Sequence, residues 1–445
     1  MGNAATFYSW LSAALGPVTM VHPRRRRLRG LELGKHEAER YGHPSFDRPK
    51  GTLLWFHAVS AGEGMEALPV IKRCLKTRPN VHILMTTSTV TAFSLLQQTL
   101  PRGVICQLAP VDTPSAVQKF LSLWEPQVAV FMESELWPNL IFESSKKGIR
   151  LVLLNARISP RSHWRWSLSI DLASEIVSKF SLIMPVNNKE AIQYQDLGAL
   201  PHQIQFAGNL KYASGAMDFG CINGPIYHEL RRQLLGRRFW LAASTHPGEE
   251  EVVVSIHKKL QGTFPNLLTI IVPRHPHRGQ SIKSFIKYDY NWDAPRRSQN
   301  EALTMKTEIY IADTLGELAM FYHLVSLVFV GGSLFENLHG HNIAEPASAG
   351  CAVVTGRYVG TFQEMITEMQ RHSPLSIEQV AGESDLYEFL RRLFDNGRSL
   401  NLRREAALTA ASSAAANVIN LVYRWLDIIV LRPAFGCNCL QSEGR

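Results

Sequence analysis

The sequence predicts an α/β protein of two Rossmann-like halves, each a parallel sheet with helices on both faces. The chain has 445 residues, more than one compact domain usually holds. Short apolar runs alternate with helical stretches, a pattern typical of parallel sheets. The alternation stops at residues 213–236 and then restarts. Since open sheets bind ligands at the carboxyl ends of their strands, we expect the two halves to face each other across a cleft.

The first half is predicted to cover residues 32–212. A helix is expected from Met65 to Lys76, directly after the first strand. The buried apolar runs that predict strands lie at 52–57, 82–87, 127–132, 150–155, 180–185 and 205–210.

The second half is predicted to cover residues 237–402. It is preceded by a predicted linker, residues 213–236, because Gly215, Gly220, Gly224 and Pro225 interrupt the pattern there. A long helical pattern at 403–432 is expected to pack back across the junction of the halves. Strands are predicted at 239–243, 267–272, 308–312, 327–330 and 351–355.

The net charge of +9 is concentrated at the start of the chain. Residues 1–31 contain five arginines and no acid, so they supply five of the nine excess charges. The remainder is only mildly basic, which argues against the extended basic face of a nucleic-acid-binding protein. We therefore expect no nucleic-acid partner.

The same segment begins with an apolar, aromatic stretch at residues 7–16. It is too short to span a bilayer, which needs about 20 apolar residues. Apolar residues followed by arginines indicate either contact with a membrane surface or a cleaved targeting peptide, and a solvated basic arm is the third possibility.

The six cysteines are scattered and form no pair with metal-ligand spacing, which favours a reducing compartment and no structural metal. His339 and His341 alternate without nearby acids in ligand spacing, so they do not predict a metal site either. The cleft motifs contain no P-loop and no GxGxxG dinucleotide motif, which argues against NTPases and dehydrogenases.

In the first half, polar residues follow the strands. Ser60, Gly62 and Glu63 come after the first strand, where the glycines on both sides of Glu63 predict a tight turn of the backbone. Glu63 itself is either a catalytic base or an acid that complements a helix dipole. Glu133 and Glu135 follow a second strand and Arg157 a third. They predict either a shared site or an ion-pair network that fixes the loops.

The second half has its own polar groups at strand ends. Arg274 supplies a permanent cation, and the glycine-rich loop before Ser333 offers N–H groups that suit a phosphate. Asn342 and Glu345, three residues apart, are suited to grip a ribose diol. The candidate ligand-binding residues of this half are Ser244, His246, Arg274, His275, Thr314, Gly316, Glu317, Gly332, Ser333, Asn342 and Glu345.

Taken together these motifs resemble the Kdo transferases, which move 3-deoxy-D-manno-octulosonic acid (Kdo) from CMP-Kdo to a lipid A precursor. The resemblance runs from about residue 24 to about residue 401, and it is closer to plant members than to bacterial ones. The motifs that carry it are His57-Ala-Val-Ser-Ala-Gly-Glu63, Met132-Glu-Ser-Glu-Leu-Trp-Pro-Asn139, Asn155-Ala-Arg157, Gly208-Asn-Leu-Lys211, Pro273-Arg-His-Pro276, Asp313-Thr-Leu-Gly-Glu317, Gly331-Gly-Ser333 and Gly340-His-Asn342 with Glu345-Pro346.

The resemblance implies a GT-B fold and an inverting transfer that needs no metal and no cofactor. It implies that Glu63 is the general base, that Glu135 supports the acceptor side and that the second half holds CMP-Kdo. Lys211 and Arg157 are implied as partners of the phosphate or the Kdo carboxylate. The acceptor is expected to be a lipid IVA-like precursor that binds the first half near residues 7–31.

Two departures from bacterial members stand out. Leu338-His339-Gly340 stands where bacterial members usually carry two glycines, and the N-terminus is less continuously apolar. A peripheral membrane location follows from the resemblance, in mitochondria for a plant protein and otherwise on the cytoplasmic face of the inner membrane. The alternatives are another two-domain sugar-nucleotide enzyme, such as a UDP-sugar transferase or epimerase, and a binding protein without activity.

Overall fold

A computed structural model describes Thr6, Tyr8, Ser12 and residues 36–214 and 224–436. The chain forms two compact units. The first contains Met1–Leu210 and Asn417–Arg445, and the second contains Lys211–Ala416. Most of the basic N-terminal segment, part of the predicted linker and the last two cysteines lie outside the described residues.

The first unit is built on a parallel six-stranded sheet in the order β3-β2-β1-β4-β5-β6. Its strands are almost entirely buried, as expected of a sheet covered on both faces. The strands are β1 Thr52–Ala58, β2 Val81–Thr87, β3 Ile105–Leu108, β4 Val128–Met132, β5 Arg150–Ala156 and β6 Phe180–Pro185. The helices of this unit are Glu37–Arg40, Ala61–Thr77, Val90–Thr99, Pro114–Trp124, Pro138–Lys146, Pro160–Ser167, Ile170–Val177 and Asn188–Asp196.

The second unit repeats this architecture with a parallel sheet in the order β12-β11-β10-β7-β8-β9. Its core is formed by strand residues such as Trp240, Ile271 and Phe329, packed against the helices. The strands are β7 Arg238–Thr245, β8 Leu267–Pro273, β9 Ile309–Ile311, β10 Leu327–Val330, β11 Ala352–Thr355 and β12 Ile377–Gln379. The helices are Lys211–Ser214, Pro225–Leu234, Glu249–Gln261, Gly279–Tyr290, Leu318–Leu324, Ala344–Ser348, Gln363–His372 and Glu383–Asp395.

Several predicted elements differ from the structure. Residues 205–210 do not form a strand, because Gly208 has a φ of +88° and its position lies against Val418. The short strands β3 and β12 were not predicted. Part of the predicted linker is the helix Pro225–Leu234, whose residues Leu230 and Leu234 are buried.

The last helix begins at Gly397 and continues to Leu426, a few residues longer at its start than the predicted pattern. A π-helical segment, Asp427–Leu431, and a short helix, Arg432–Phe435, follow it. In the part of the chain that the structure describes, Gly397–Phe435 is the one helical segment long and apolar enough to cross a membrane. Alanines 407, 410 and 411 are buried on one side of it, as in a helix that packs on a protein core.

Candidate active site

Glu63 lies in the first turn of the helix Ala61–Thr77, which is separated from the end of β1 by two residues. The Ser60 hydroxyl donates to Glu63 Oε1 at 2.7 Å and accepts the Glu63 N–H at 3.3 Å. The Val59 N–H donates to Oε2 at 2.8 Å. This reciprocal cap fixes the carboxylate at the helix start, as the Ser60-x-x-Glu63 spacing predicts.

Burial is the main influence on Glu63, whose side chain is largely buried. It raises the pKa of Glu63, against the hydrogen bonds from Ser60 and Val59, and the charge of Glu133 adds to the increase. A carboxylate with a raised pKa is a stronger base than one in water, so this environment suits proton abstraction.

Glu133, Glu135 and Arg157 do come together with Glu63. The sheet order places β1, β4 and β5 side by side, so the residues that follow them meet at one edge. Arg157 pairs with Glu133 at 3.0 Å. Burial brings the pKa of Glu135 to about 7, the Trp137 indole N–H opposes the increase by donating to it, and the charges of Glu63 and Glu133 add to it.

Sequence reasoning did not single out Glu66 and His57, which support this cluster. Glu66 is buried one helical turn after Glu63, accepts from the Asn155 amide at 2.5 Å and lies 3.9 Å from Arg157. The Nδ1 atom of His57 is bonded to Thr86 at 2.9 Å, while its buried Nε2 has no hydrogen-bond partner. Burial, followed by the charge of Arg40, lowers the pKa of His57 to about 3, so the ring is neutral.

The glycines beside Glu63 do not form the tight turn predicted for them. Gly62 and Gly64 lie within the helix without a positive φ. A Cβ on Gly62 meets only the Ser60 hydroxyl, at 3.9 Å, so the space beside Glu63 is open there. A Cβ on Gly64 would lie 2.7 Å from Leu96, so this glycine is needed for helix packing.

In the second unit, His246 and His341 form a pair. Their Nε2 atoms are 3.0 Å apart and their rings stack, with His275 edge-on to His246. Burial, followed by the charges of His246 and Arg274, lowers the pKa of His341 to about 4. The pKa of His246 is lowered as well, so both rings are neutral at pH 7 and one Nε2–H donates to the Nε2 of the other ring.

The loop after β10 is held by Glu249, which sequence reasoning missed. The N–H groups of Gly332, Ser333 and Leu334 donate to its fully buried carboxylate at 2.6 to 3.0 Å. The His246 N–H donates to the same carboxylate at 2.9 Å. The prediction that this loop offers these N–H groups to a phosphate is therefore wrong, because an anion of the protein already accepts them.

Ser333 has a structural contact as well. Its buried hydroxyl donates to the Val330 carbonyl at 2.7 Å and accepts the Gly356 N–H at 2.8 Å. Gly332, with a φ of +69°, leaves room for the histidine pair, since a Cβ there would lie 2.8 Å from His341. Ser244, near the end of β7, has a φ of +55°, a left-handed conformation that is strained for a residue other than glycine.

Asn342 and Glu345 are brought together as predicted. The Asn342 amide donates to Glu345 at 2.9 Å, and its oxygen accepts the Ala344 N–H at 3.0 Å. Burial raises the pKa of Glu345, with the Asn342 bond opposing it. Lys211 begins the short helix that packs against the helix Ala344–Ser348.

The loop at residues 338–340 contains one glycine in a left-handed conformation. Gly340 has a φ of +70°, donates its N–H to the Gly332 carbonyl at 2.7 Å, and a Cβ there would lie 2.7 Å from Val359. His339 is exposed. Of positions 339 and 340, only position 340 needs glycine in this structure, and this chain has glycine there.

The remaining predicted residues divide into two groups. Arg274 and His275 are exposed after β8. Thr314 and Glu317 are instead bonded to each other, and Glu317 also pairs with Arg297 at 2.9 Å. Gly316 turns this loop with a φ of +84°. Over the described parts of the chain, no three His, Cys, Asp or Glu side chains group in a way that could hold a metal ion.

Two parallel sheets covered by helices, with polar side chains beyond their central strands, define a two-domain Rossmann-like glycosyltransferase fold of the GT-B type. The glycosyltransferase of Rickettsia africae has this fold, with a TM-score of 0.58 and 12% identity over 86% of this chain and 99% of that one. Anabaena HepE in complex with UDP is similar, with a TM-score of 0.56 and 14% identity over 85% of this chain and all of that one. These likenesses concern the fold alone.

Sequence relatives identify the family. The chain is 43% identical over 96% of both lengths to the probable mitochondrial 3-deoxy-D-manno-octulosonic acid transferase of Arabidopsis thaliana. It is 34% identical to the corresponding transferase of Haemophilus influenzae, over 80% of this chain and 82% of that one. The family model of 3-deoxy-D-manno-octulosonic-acid transferase matches residues 35–214. The chain belongs to this family of glycosyltransferases, which confirms the resemblance of its motifs.

Proposed function

We propose that the protein transfers Kdo from CMP-Kdo to a lipid A precursor of the lipid IVA type. The observation that carries the proposal is the buried, capped carboxylate of Glu63, held beside a cluster of polar residues in a member of the Kdo transferase family. The first unit is proposed to bind the acceptor and the second unit to bind the donor.

In the proposed reaction Glu63 takes the proton of the acceptor hydroxyl. The acceptor oxygen then forms a bond to the anomeric carbon of Kdo, and the bond from that carbon to the CMP phosphate breaks. CMP leaves with the electron pair, and attack from the opposite face inverts the anomeric centre. No metal or cofactor is part of this proposal.

The donor is proposed to bind through groups on three elements of the second unit. Asn342 and Glu345 suit the ribose hydroxyls, since they offer an amide and a carboxylate side by side. Arg274 suits the phosphate, because it is an exposed permanent cation beside the histidine pair. Lys211 is the proposed partner of the Kdo carboxylate.

The first test is the variant Glu63→Gln. Glutamine keeps the size of the side chain and accepts the Val59 N–H, but it takes no proton. We expect transfer to fall by about 10²–10⁴-fold, the usual contribution of a general base, while the affinity for CMP is unchanged. Asp171→Asn, an exposed acid of the same unit, is the control. Turnover of Glu63→Gln close to that of the wild type would contradict the assignment.

Nucleotide titration separates this proposal from a UDP-sugar transferase or epimerase. Isothermal titration calorimetry with CMP and with UDP is expected to give tighter binding of CMP. Tighter binding of UDP would favour the alternative.

The Arabidopsis relative is named as mitochondrial. We propose the same compartment here, with the basic N-terminal segment directing the chain there and contacting the membrane surface. A fluorescent fusion of residues 1–40 tests this directly, and a diffuse cytosolic signal would contradict it.

A further inference from the structure

A cavity of about 540 Å³ lies in the first unit, next to the carboxylate cluster. Trp137 and Trp166 form aromatic walls, and Arg165 supplies a cation. Glu135 belongs both to the cavity and to the cluster with Glu63. An apolar cavity with a few charged groups suits an acylated, anionic sugar, which is the chemistry of the proposed acceptor.

One wall of this cavity comes from the N-terminal segment, far from the rest in sequence. Tyr8 lines the cavity and is half-buried. Its hydroxyl is hydrogen-bonded to the carboxylate of Asp112, which also lines the cavity.

Asp112 is itself fixed at the start of the helix Pro138–Lys146. It accepts the N–H groups of Leu140 at 2.8 Å and Asn139 at 3.3 Å. The Asn139 amide also donates to the hydroxyl of Ser12 at 3.0 Å. Tyr8 and Ser12, four residues apart, are therefore both bonded to this one site.

The protonation states of Tyr8 and Asp112 at neutral pH favour this hydrogen bond. Burial raises the pKa of Tyr8 to about 12, and the charge of Asp112 adds to the increase. Burial also raises the pKa of Asp112 to about 6, against its hydrogen bonds. At pH 7 to 8 Tyr8 is therefore a donor and Asp112 an ionised acceptor, which is the stronger type of hydrogen bond.

We infer that Tyr8 forms part of the acceptor site and sets acceptor affinity, so that the N-terminal segment stays in the working enzyme and is not a removed targeting peptide. This inference rests on the proposed function, since it takes the cavity beside Glu63 and Glu135 as the acceptor site. It makes the N-terminal segment a substrate-binding element as well as a membrane contact.

Steady-state kinetics of the full chain test the role of Tyr8. Tyr8→Ala removes the wall, and we expect the KM for the dispersed lipid acceptor to rise about tenfold, the loss typical of a partly buried aromatic contact. The KM for CMP-Kdo and kcat are expected to stay within about twofold of the wild type. Tyr8→Phe keeps the ring and loses only the bond to Asp112, so it should give a smaller increase. It also provides the test if Tyr8→Ala does not fold.

Tyr288→Ala is the matched control, since Tyr288 is a tyrosine of the second unit that is 90% exposed. An unchanged acceptor KM in both Tyr8 variants would overturn the inference. An equal rise in the KM for the acceptor and the KM for CMP-Kdo would overturn it as well. Sedimentation with anionic vesicles is expected to be equal for wild type and Tyr8→Ala. A loss of vesicle binding that matches the rise in KM would also overturn it, because Tyr8 would then act through the membrane.

Mass spectrometry of the protein isolated from its own cells tests whether the segment is kept. We expect a peptide that contains Tyr8, and a mature chain that begins after Ser12 would overturn the inference. Failure of the proposed function gives a different result. A wild-type protein without transfer activity would contradict the proposed function and this inference together. An active wild type whose Tyr8 variants behave like it would contradict only the inference.

Discussion

Glu135 shows how the carboxylate cluster affects stability at the scale of single residues. Its folded-state pKa of about 7 lies above the usual 4.5 because of burial and the charges of Glu63 and Glu133. A raised pKa means that the folded state favours the protonated acid. The resulting stabilisation is complete below about pH 4.5 and is lost as the pH rises through 7.

The variant Glu135→Gln should therefore be more stable than the wild type at pH 8, by on the order of 2 kcal/mol, because it has no charge to bury. At pH 4.5 the two proteins should be equally stable. Differential scanning calorimetry at both pH values measures the difference, with Asp171→Asn as control. The same difference at both pH values, or a less stable variant at pH 8, would contradict the cause given for the shift.

Single residues also show how far sequence reasoning reached into the site. The position of Glu63 at a helix start was predictable, because the residues that hold it, Val59 and Ser60, lie within four positions in the chain. The loop-holding role of Glu249 was not predictable, because three acids in the first turn of a helix normally indicate that they complement the helix dipole. Only the packing of residues 332–334, more than 80 positions away, shows that the carboxylate holds a loop. Asn155 and Glu66, 89 positions apart, were missed as a pair for the same reason.

At the scale of elements, the helix that carries Glu63 is positioned by its contact with the helix Val90–Thr99. Gly64 faces the fully buried Leu96, whereas Gly62 faces open space. The position of the Glu63 carboxylate therefore depends on Gly64, whereas Gly62, two positions earlier, has no packing role.

This difference gives a paired prediction. Gly64→Ala should destabilise the protein by about 1–3 kcal/mol, since the added methyl overpacks a buried contact. Gly62→Ala should be neutral or stabilising by up to about 1 kcal/mol, because alanine favours helix at an unobstructed position. Urea unfolding followed by circular dichroism measures both. Equal effects of the two substitutions would show that helix propensity, and not the contact with Leu96, determines the change in stability.

Strand prediction succeeded for the long apolar strands and missed two of the short ones, β3 and β12. β1 and β8 have seven residues each and are nearly all buried, so composition alone identifies them. β12 has only three residues and contains Glu378, so its pairing with β11 decides its structure. The apolar run at 205–210 was misleading, because Gly208 takes a conformation that a strand does not.

At the scale of the whole molecule, one interruption of a repeating pattern predicted the two units, and the final helical pattern was expected to pack back across their junction. The residues that it contacts in the first unit were not predicted. Thr77 and Tyr423 are hydrogen-bonded at 2.6 Å, 346 positions apart. Arg78 and Asp427 form a buried ion pair at 2.7 Å nearby. The first unit is thus completed by the last helical segment, and the contacts with that segment form only after the second unit has been synthesised.

The ion pair gives a prediction about the molecule as a whole. Asp427→Ala leaves Arg78 buried without its partner, which should cost about 3–5 kcal/mol. Asp395→Ala removes an exposed pair with Arg391 in the second unit and should cost less than about 1 kcal/mol. Hydrogen–deuterium exchange followed by mass spectrometry should therefore show faster exchange of β1 to β6 in Asp427→Ala, with β7 to β12 less affected. Exchange that increases equally in both sheets would show that the two units unfold together, and that the pair stabilises the whole chain rather than the unit it closes.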